Sequence, residues 1–144
     1  MNNWILLTYS LPNEPSARRV YVWRKLKRLG AITLFDAVWV LPETLRTHEQ
    51  FQWLAAEIQE MGGEAMFWTA LVGLAGQEEA LIERFSKQVD QTYQALLDNL
   101  ALPDGDQAKI AQEYQQIRQR DYFHSPIGQK VREQLLAVRR GEKE

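Results

Sequence analysis

The 144-residue chain contains no cysteine. That removes disulfides, thiolate nucleophiles, zinc knuckles and dithiol redox chemistry together. Histidine is scarce as well, with only His48 and His124. Asp121 and His124 stand three residues apart, a spacing that presents two ligands on one helix face, but no third ligand accompanies them. Neither G-x-G-x-x-G nor G-x-x-x-x-G-K-[ST] occurs, so the common glycine-rich phosphate cradles are missing. No apolar run approaches the roughly 20 residues of a membrane helix. Met1-Asn2-Asn3 places no basic residue ahead of the short apolar stretch that follows, so no secretory signal is read. A cytoplasmic protein without membrane contact is expected. The formal net charge of −2 is small, so any electrostatic function rests on where charge lies rather than on its sum.

What is present suits a globular protein. The chain is 45% hydrophobic and 25% charged, close to the average for folded domains. It is long enough to bury a core without a metal or a disulfide. Trp4–Leu11 reads as a buried strand, ended by the turn signal Pro12-Asn13-Glu14-Pro15. Ser16 is placed to cap a helix that runs to Leu29 and stops at Gly30. Ile32–Leu41 is strand-like again, and Asp36-Ala37 in its middle marks a hairpin or a bulge. Thr47-His48-Glu49-Gln50 has the form of a capping box, ahead of a helix with Phe51, Leu54, Ile58 and Met61 on one stripe. Gly62-Gly63 ends it, and Ala65–Val72 is the next strand. With the hairpin, the order is β-α-β-β-α-β, an α+β fold with a ferredoxin-like core and helices on one face of an antiparallel sheet.

From residue 76 the pattern is helical. Ile82, Phe85, Val89, Tyr93, Leu96 and Leu100 form one stripe of period 3.6. Pro103-Asp104-Gly105 breaks it. Ile110, Tyr114 and Ile117 mark a second helix, and Ile127, Val131, Leu135 and Val138 a third. The expected organisation is a core over residues 1–75 and a helical extension of about three helices, over 76–144, packing on it. All five tryptophans fall in expected strands or helices, so core packing is their expected role.

Charge is most uneven in the first helix. Arg18, Arg19, Arg24, Lys25, Lys27 and Arg28 stand between Ala17 and Leu29 with no acidic residue among them. At 100° per residue, Val22, Trp23, Leu26 and Leu29 face one way, and Arg18, Arg24, Lys25, Lys27 and Arg28 spread over the other side. Such a stripe is the electrostatic footprint of nucleic-acid phosphates. It is equally the form of a solvated face whose cations answer an acidic neighbouring helix or a dimer partner. Arg19 falls within the apolar stripe, where it needs a carboxylate or carbonyls, snorkels, or meets an anion at the helix N-terminus.

Trp4–Pro12 (WILLTYSLP), Pro15–Val20 (PSARRV) and Val22–Ala31 (VWRKLKRLGA) together resemble the opening of the ChrB family of chromate resistance regulatory proteins. Asp36–Pro42 (DAVWVLP), Phe51–Ile58 (FQWLAAEI), Gly62–Ala65 (GGEA) and the region from Tyr114 to Asp121-Tyr122-Phe123 extend the resemblance over nearly the whole chain. The resemblance implies a domain similar to the central domain of the PaaX repressors, and distantly to the small ferredoxin-like nucleases of CRISPR adaptation. It implies a regulator of chromate efflux whose N-terminal part binds DNA, the promoter of a chromate resistance operon. It also implies that chromate response belongs to a C-terminal domain of longer members, which would begin near where this chain stops.

Two residue-level checks qualify that inheritance. Those nucleases carry a metal-binding Asp at the end of the first strand, where this sequence reads Tyr9-Ser10-Leu11, and Mg²⁺ wants carboxylate oxygens. Chromate reduction lacks a thiol and any flavin or nicotinamide fingerprint. The expectation is therefore a non-enzymatic DNA-binding regulatory domain without cofactor or catalytic residues. Arg18, Arg19, Arg24, Lys25, Lys27 and Arg28 are its DNA-binding residues, and it forms a homodimer through a sheet edge. The rivals are a module that binds the oxyanions chromate or sulfate at Arg18, Arg19 and the helix N-terminus, a divergent metal-dependent nuclease, and a pure interaction domain that dimerises through its sheet edge.

Overall fold

The computed structural model describes residues 2–141. By its contacts the chain divides into two compact units, Met1–Glu78 and Glu79–Glu144. The first runs β1 (Trp4–Ser10), α1 (Ser16–Leu29), β2 (Ile32–Leu34), β3 (Val38–Pro42), α2 (Leu45–Glu60) and β4 (Glu64–Ala70). The strands form one antiparallel sheet in the order β2-β3-β1-β4. This is the ferredoxin-like arrangement.

Local chemistry explains the boundaries. Apolar and β-branched residues carry β1 until the Pro12–Pro15 turn. Ser16 does not cap α1, as its sequence position suggests. Pro15 takes the cap position in extended conformation with no side-chain cap bond, and Ser16 is the first helical residue. Gly30 stops the helix at φ 80°, and its N–H returns to the carbonyls of Leu26 and Lys27, a left-handed cap that glycine adopts without steric cost. The second helix starts earlier than the Thr47 pattern suggests. Thr44 is its N-cap and Thr47 the reciprocal member of the capping box. Thr47 is buried, and its hydroxyl also donates to Pro42 O at 2.7 Å.

Side chains alternate across the sheet, and the register puts Leu7 between Trp39 and Phe67. Phe67 meets the rings of His48 and Phe51 edge-on, so this face carries the helices. Val22, Leu26 and Leu29 of α1 and Phe51, Leu54 and Ile58 of α2 are buried. Truncating one of the larger of these, such as Leu26→Ala, costs about 2–5 kcal/mol.

Only part of the tryptophan set joins that core. Trp4 and Trp39 are buried, whereas Trp23, Trp53 and Trp68 are exposed by 51%, 68% and 43%. The core-packing expectation is therefore corrected for three of five. Trp23 sits 100° round the helix from Val22, and α1 buries only the narrow stripe through Val22, Leu26 and Leu29.

The second unit contains α3 (Gln77–Leu100), which begins at the end of the first, followed by α4 (Gln107–Arg118) and α5 (Pro126–Arg139). Val89, Tyr93, Leu96, Ile110, Tyr114, Ile117, Val131 and Leu135 form its buried cluster. On α3 the buried stripe begins at Leu81 rather than Ile82, which is half-buried. Asp106 caps α4 through Lys109 N–H. Ser125 caps α5, accepting from the N–H groups of Ile127 and Gly128. The Ser125 hydroxyl donates to Asp90, and Asp121 accepts from the Tyr93 hydroxyl and the Ser125 N–H. Among the described residues, no helix is long and apolar enough to cross a membrane.

Candidate nucleic-acid interface

The six cations of α1 do not form one uniform stripe. Two bind the helix to its neighbour. Arg18 Nη1 donates to Met61 O at 2.7 Å, and Lys25 Nζ donates to Glu57 Oε1 at 2.8 Å. Glu57 also accepts from the Tyr21 hydroxyl. These contacts join the start of α1 to the end of α2, so the two helices run antiparallel.

Electrostatics follows from the contacts. Burial pushes the Glu57 carboxyl up, but the hydrogen bonds from Lys25 and Tyr21 outweigh it and hold the group below its ordinary value. The Glu57 hydrogen bond raises the Lys25 ammonium, against the opposing effect of burial. Lys25 is thus a neutralised cation that also lies 5.5 Å from the Tyr21 ring centroid.

Arg19 is exposed, and its Nη1 donates to Asn13 Oδ1 at 2.8 Å. The expectation of a buried-side arginine is corrected. Arg19 lies in the first turn of α1, beyond Ser10, where β1 has already ended. It borders an open cleft of about 590 Å³ with Tyr9, Leu11, Asn13, Ser16 and Trp23 on its walls. Burial pushes the Tyr9 phenol up, opposed by a hydrogen bond with Trp39 and by the Arg19 charge.

Arg24, Lys27 and Arg28 are exposed, and none has an acidic partner among the described residues. Lys27 Nζ lies 5.7 Å from the centroid of the Trp23 ring, a contact that leaves its charge available. Residues 20, 24, 27 and 28 share the side of α1 turned away from the sheet. The outer face therefore carries three uncompensated cations on a rigid helix, flanked by Arg19 and an exposed tryptophan.

Reasoning on residues located the helix and the sign of its charge. It missed Asn13 as the partner of Arg19, and Glu57 as the partner of Lys25 and Tyr21. Asn13 was legible only as a turn residue. Glu57 is 32 residues from Lys25, beyond the reach of any local pattern.

A ferredoxin-like α+β unit with a cationic, acid-free outer helix, followed by a helical unit, defines the class. The sequence matches the family described as "Protein ChrB, N-terminal" over residues 19–116, and the chain belongs to that family. It is 29% identical over 112 residues to Protein ChrB of Cupriavidus metallidurans, covering 74% of this chain and 34% of that protein. The chain thus spans about a third of the length of that curated relative. No solved structure matches it. The matched stretch includes Arg19, Arg24, Lys25, Lys27 and Arg28.

Proposed function

We propose that this chain is a non-enzymatic regulatory module of chromate resistance that binds DNA, with α1 laid along the phosphate backbone. One observation carries the reading: Arg24, Lys27 and Arg28 share one exposed helix face and have no carboxylate to answer. On a chain whose net charge is negative, a local cationic band of this kind attracts a polyanion rather than serving general solubility. Family membership supports the regulatory part of the proposal. Arg19 adds a fourth contact at the mouth of the cleft. Arg18 and Lys25 act differently from the rest, setting the helix against α2 and contributing to DNA affinity only weakly.

The end of β1 presents Tyr9 and Ser10 where a metal nuclease of this fold wants a carboxylate, which supports a binding role over a hydrolytic one. The reading includes a homodimer, and the free edge of β4 supports it.

The test is fluorescence anisotropy with a labelled chromate-operon promoter fragment and an unrelated duplex, at two salt concentrations, with and without chromate. Binding that prefers the promoter and weakens with salt is the expected result. No binding to either duplex at low salt overturns the proposal. Release by chromate places the sensor within this chain.

A further inference from the structure

The tight turn between β2 and β3 is built from unusual residues. Ala37 N–H donates to Leu34 O at 3.1 Å, and the two central residues, Phe35 and Asp36, lie at φ 54° and 57°. Three residues, Phe35–Ala37, join the paired Leu34 and Val38, and left-handed positions in such a loop are normally filled by glycine, asparagine or aspartate. Aspartate tolerates this region, whereas a bulky side chain is a steric outlier there. Packing does not offset the strain, because Phe35 is 97% exposed. The hairpin thus holds a large aromatic ring at its most strained position and gives it nothing to pack against. Strain of this kind, unexplained inside the fold, points to a contact outside it.

The topology places that ring beside the cationic helix. β1 ends at Ser10 and the antiparallel β3 begins at the same end of the sheet. The Phe35 turn therefore projects from the end at which α1 starts. α1 gives its Tyr21–Lys25 flank to α2. Its opposite flank carries Arg19 and Trp23, which line one cleft with Tyr9 and Ser10 at the end of β1.

We propose that Phe35 is an apolar wedge that inserts between base pairs of DNA whose phosphates are held by α1. The inference rests on the DNA-binding reading above and adds the mode of recognition. Apolar side chains used in this way unstack one step and kink the duplex. The cost is least at flexible pyrimidine–purine steps such as TA. Phosphate contacts by Arg19, in the first turn of α1, would then hold the backbone beside the unstacked step. A lipid surface is the poorer occupant, since one aromatic ring buries too little apolar area for stable anchoring.

The experiment uses the full chain and a short duplex carrying 2-aminopurine at a central TA step, whose fluorescence rises on unstacking. Phe35→Asn removes the ring and supplies a residue that accepts the left-handed conformation, while Phe35→Leu keeps an apolar wedge. The wild type is expected to raise the fluorescence on binding, and Phe35→Leu to retain the rise. Phe35→Asn is expected to bind several-fold more weakly, with an unchanged salt slope and no rise, and to melt at a higher temperature.

A Phe35→Asn protein that binds equally well and gives the same rise overturns the wedge alone. A wild type that binds no duplex at low salt overturns the DNA reading and the wedge with it. Binding to phosphatidylserine vesicles that is lost in Phe35→Asn, with DNA binding intact, overturns the wedge in favour of a membrane contact.

Discussion

Lys25 Nζ stands 2.8 Å from Glu57 Oε1, and the same carboxylate accepts the Tyr21 hydroxyl. One acid on α2 therefore holds two residues of the otherwise acid-free helix α1. The pair is partly open to water, with side-chain exposures of 33% and 26%, so its contribution to stability is about 0.5–1 kcal/mol. The Glu57 carboxyl titrates below its ordinary value. Its contribution is present above the unfolded carboxylate range and is lost as pH falls through the depressed folded value. Lys25 titrates above its ordinary value, so its contribution is present below the unfolded lysine value and is lost as pH rises through the folded one. Glu57→Gln should lower stability by about that amount at neutral pH and flatten the acid limb of the stability curve. Urea unfolding of both proteins from neutral to acidic pH checks this. The same substitution releases Lys25, so DNA affinity should rise.

The three unanswered cations of α1 make a quantitative prediction. Each phosphate contact on duplex DNA contributes about 0.9 to the slope of log affinity against log salt, so Arg24→Ala, Lys27→Ala and Arg28→Ala together should make it about 2.7 shallower. Lys25→Ala should change the slope little, because Glu57 already neutralises that charge. Anisotropy titrations over a salt series separate the two outcomes. A triple variant with the wild-type slope removes the outer face of α1 from the interface.

The contrast between Lys25 and Arg24 shows how far the sequence could be read. Punctuation by Pro12, Pro15, Gly30 and Gly62-Gly63 is local and strong, so the β-α-β-β-α-β order was legible. The hairpin tip was less so, because Phe35-Asp36 lacks the asparagine or glycine that normally announces such a turn. Thr44 and Thr47 compete for one cap position, and the downstream Glu49 and Gln50 favoured the wrong one. Helical angle placed Trp23 beside Leu26, but it does not give the width of the stripe that a neighbouring sheet covers. The interface was legible as a surplus of charge. Which cations are free depends on Glu57, Asn13 and Met61, and those partners meet α1 only in the folded chain.

The helical unit offers a test independent of DNA. Gly128 lies against the Tyr93 ring, and a Cβ built there would stand 2.5 Å from Tyr93 Cε2. Tyr93 is buried in the core of the unit, with its hydroxyl 3.1 Å from Asp121 Oδ2. Gly128→Ala therefore overpacks this contact and should cost about 1–3 kcal/mol. Burial, and next the Asp121 charge, push the Tyr93 phenol far above its ordinary value. Tyr93 therefore adds stability in full below the unfolded tyrosine value, and that stability declines as pH rises above it. Tyr93→Phe should be less stable by about 1 kcal/mol at neutral pH and should lose less stability under alkaline conditions. Chemical unfolding at neutral and alkaline pH measures both effects.

The sheet edge carries the last prediction. β4 ends the sheet on one side, so its outer backbone groups pair with no further strand among the described residues. An open edge of seven residues without proline is a template for pairing with another chain. Its only charge is Glu64, at the first position, while Met66 and Trp68 are 57% and 43% exposed. In an antiparallel pairing of two copies centred on Phe67, Met66 faces Trp68 of the second copy twice. Glu64 then faces Ala70, so no like charges meet. Sulfur–aromatic contact and the absence of repulsion both favour this register. The chain should therefore sediment as a dimer, and Met66→Glu combined with Trp68→Glu, which sets carboxylates opposite each other twice across the edge, should shift it toward monomer without unfolding it. Sedimentation velocity with circular dichroism on both proteins reads the two effects separately. A wild type that remains monomeric at every concentration removes the β4 dimer.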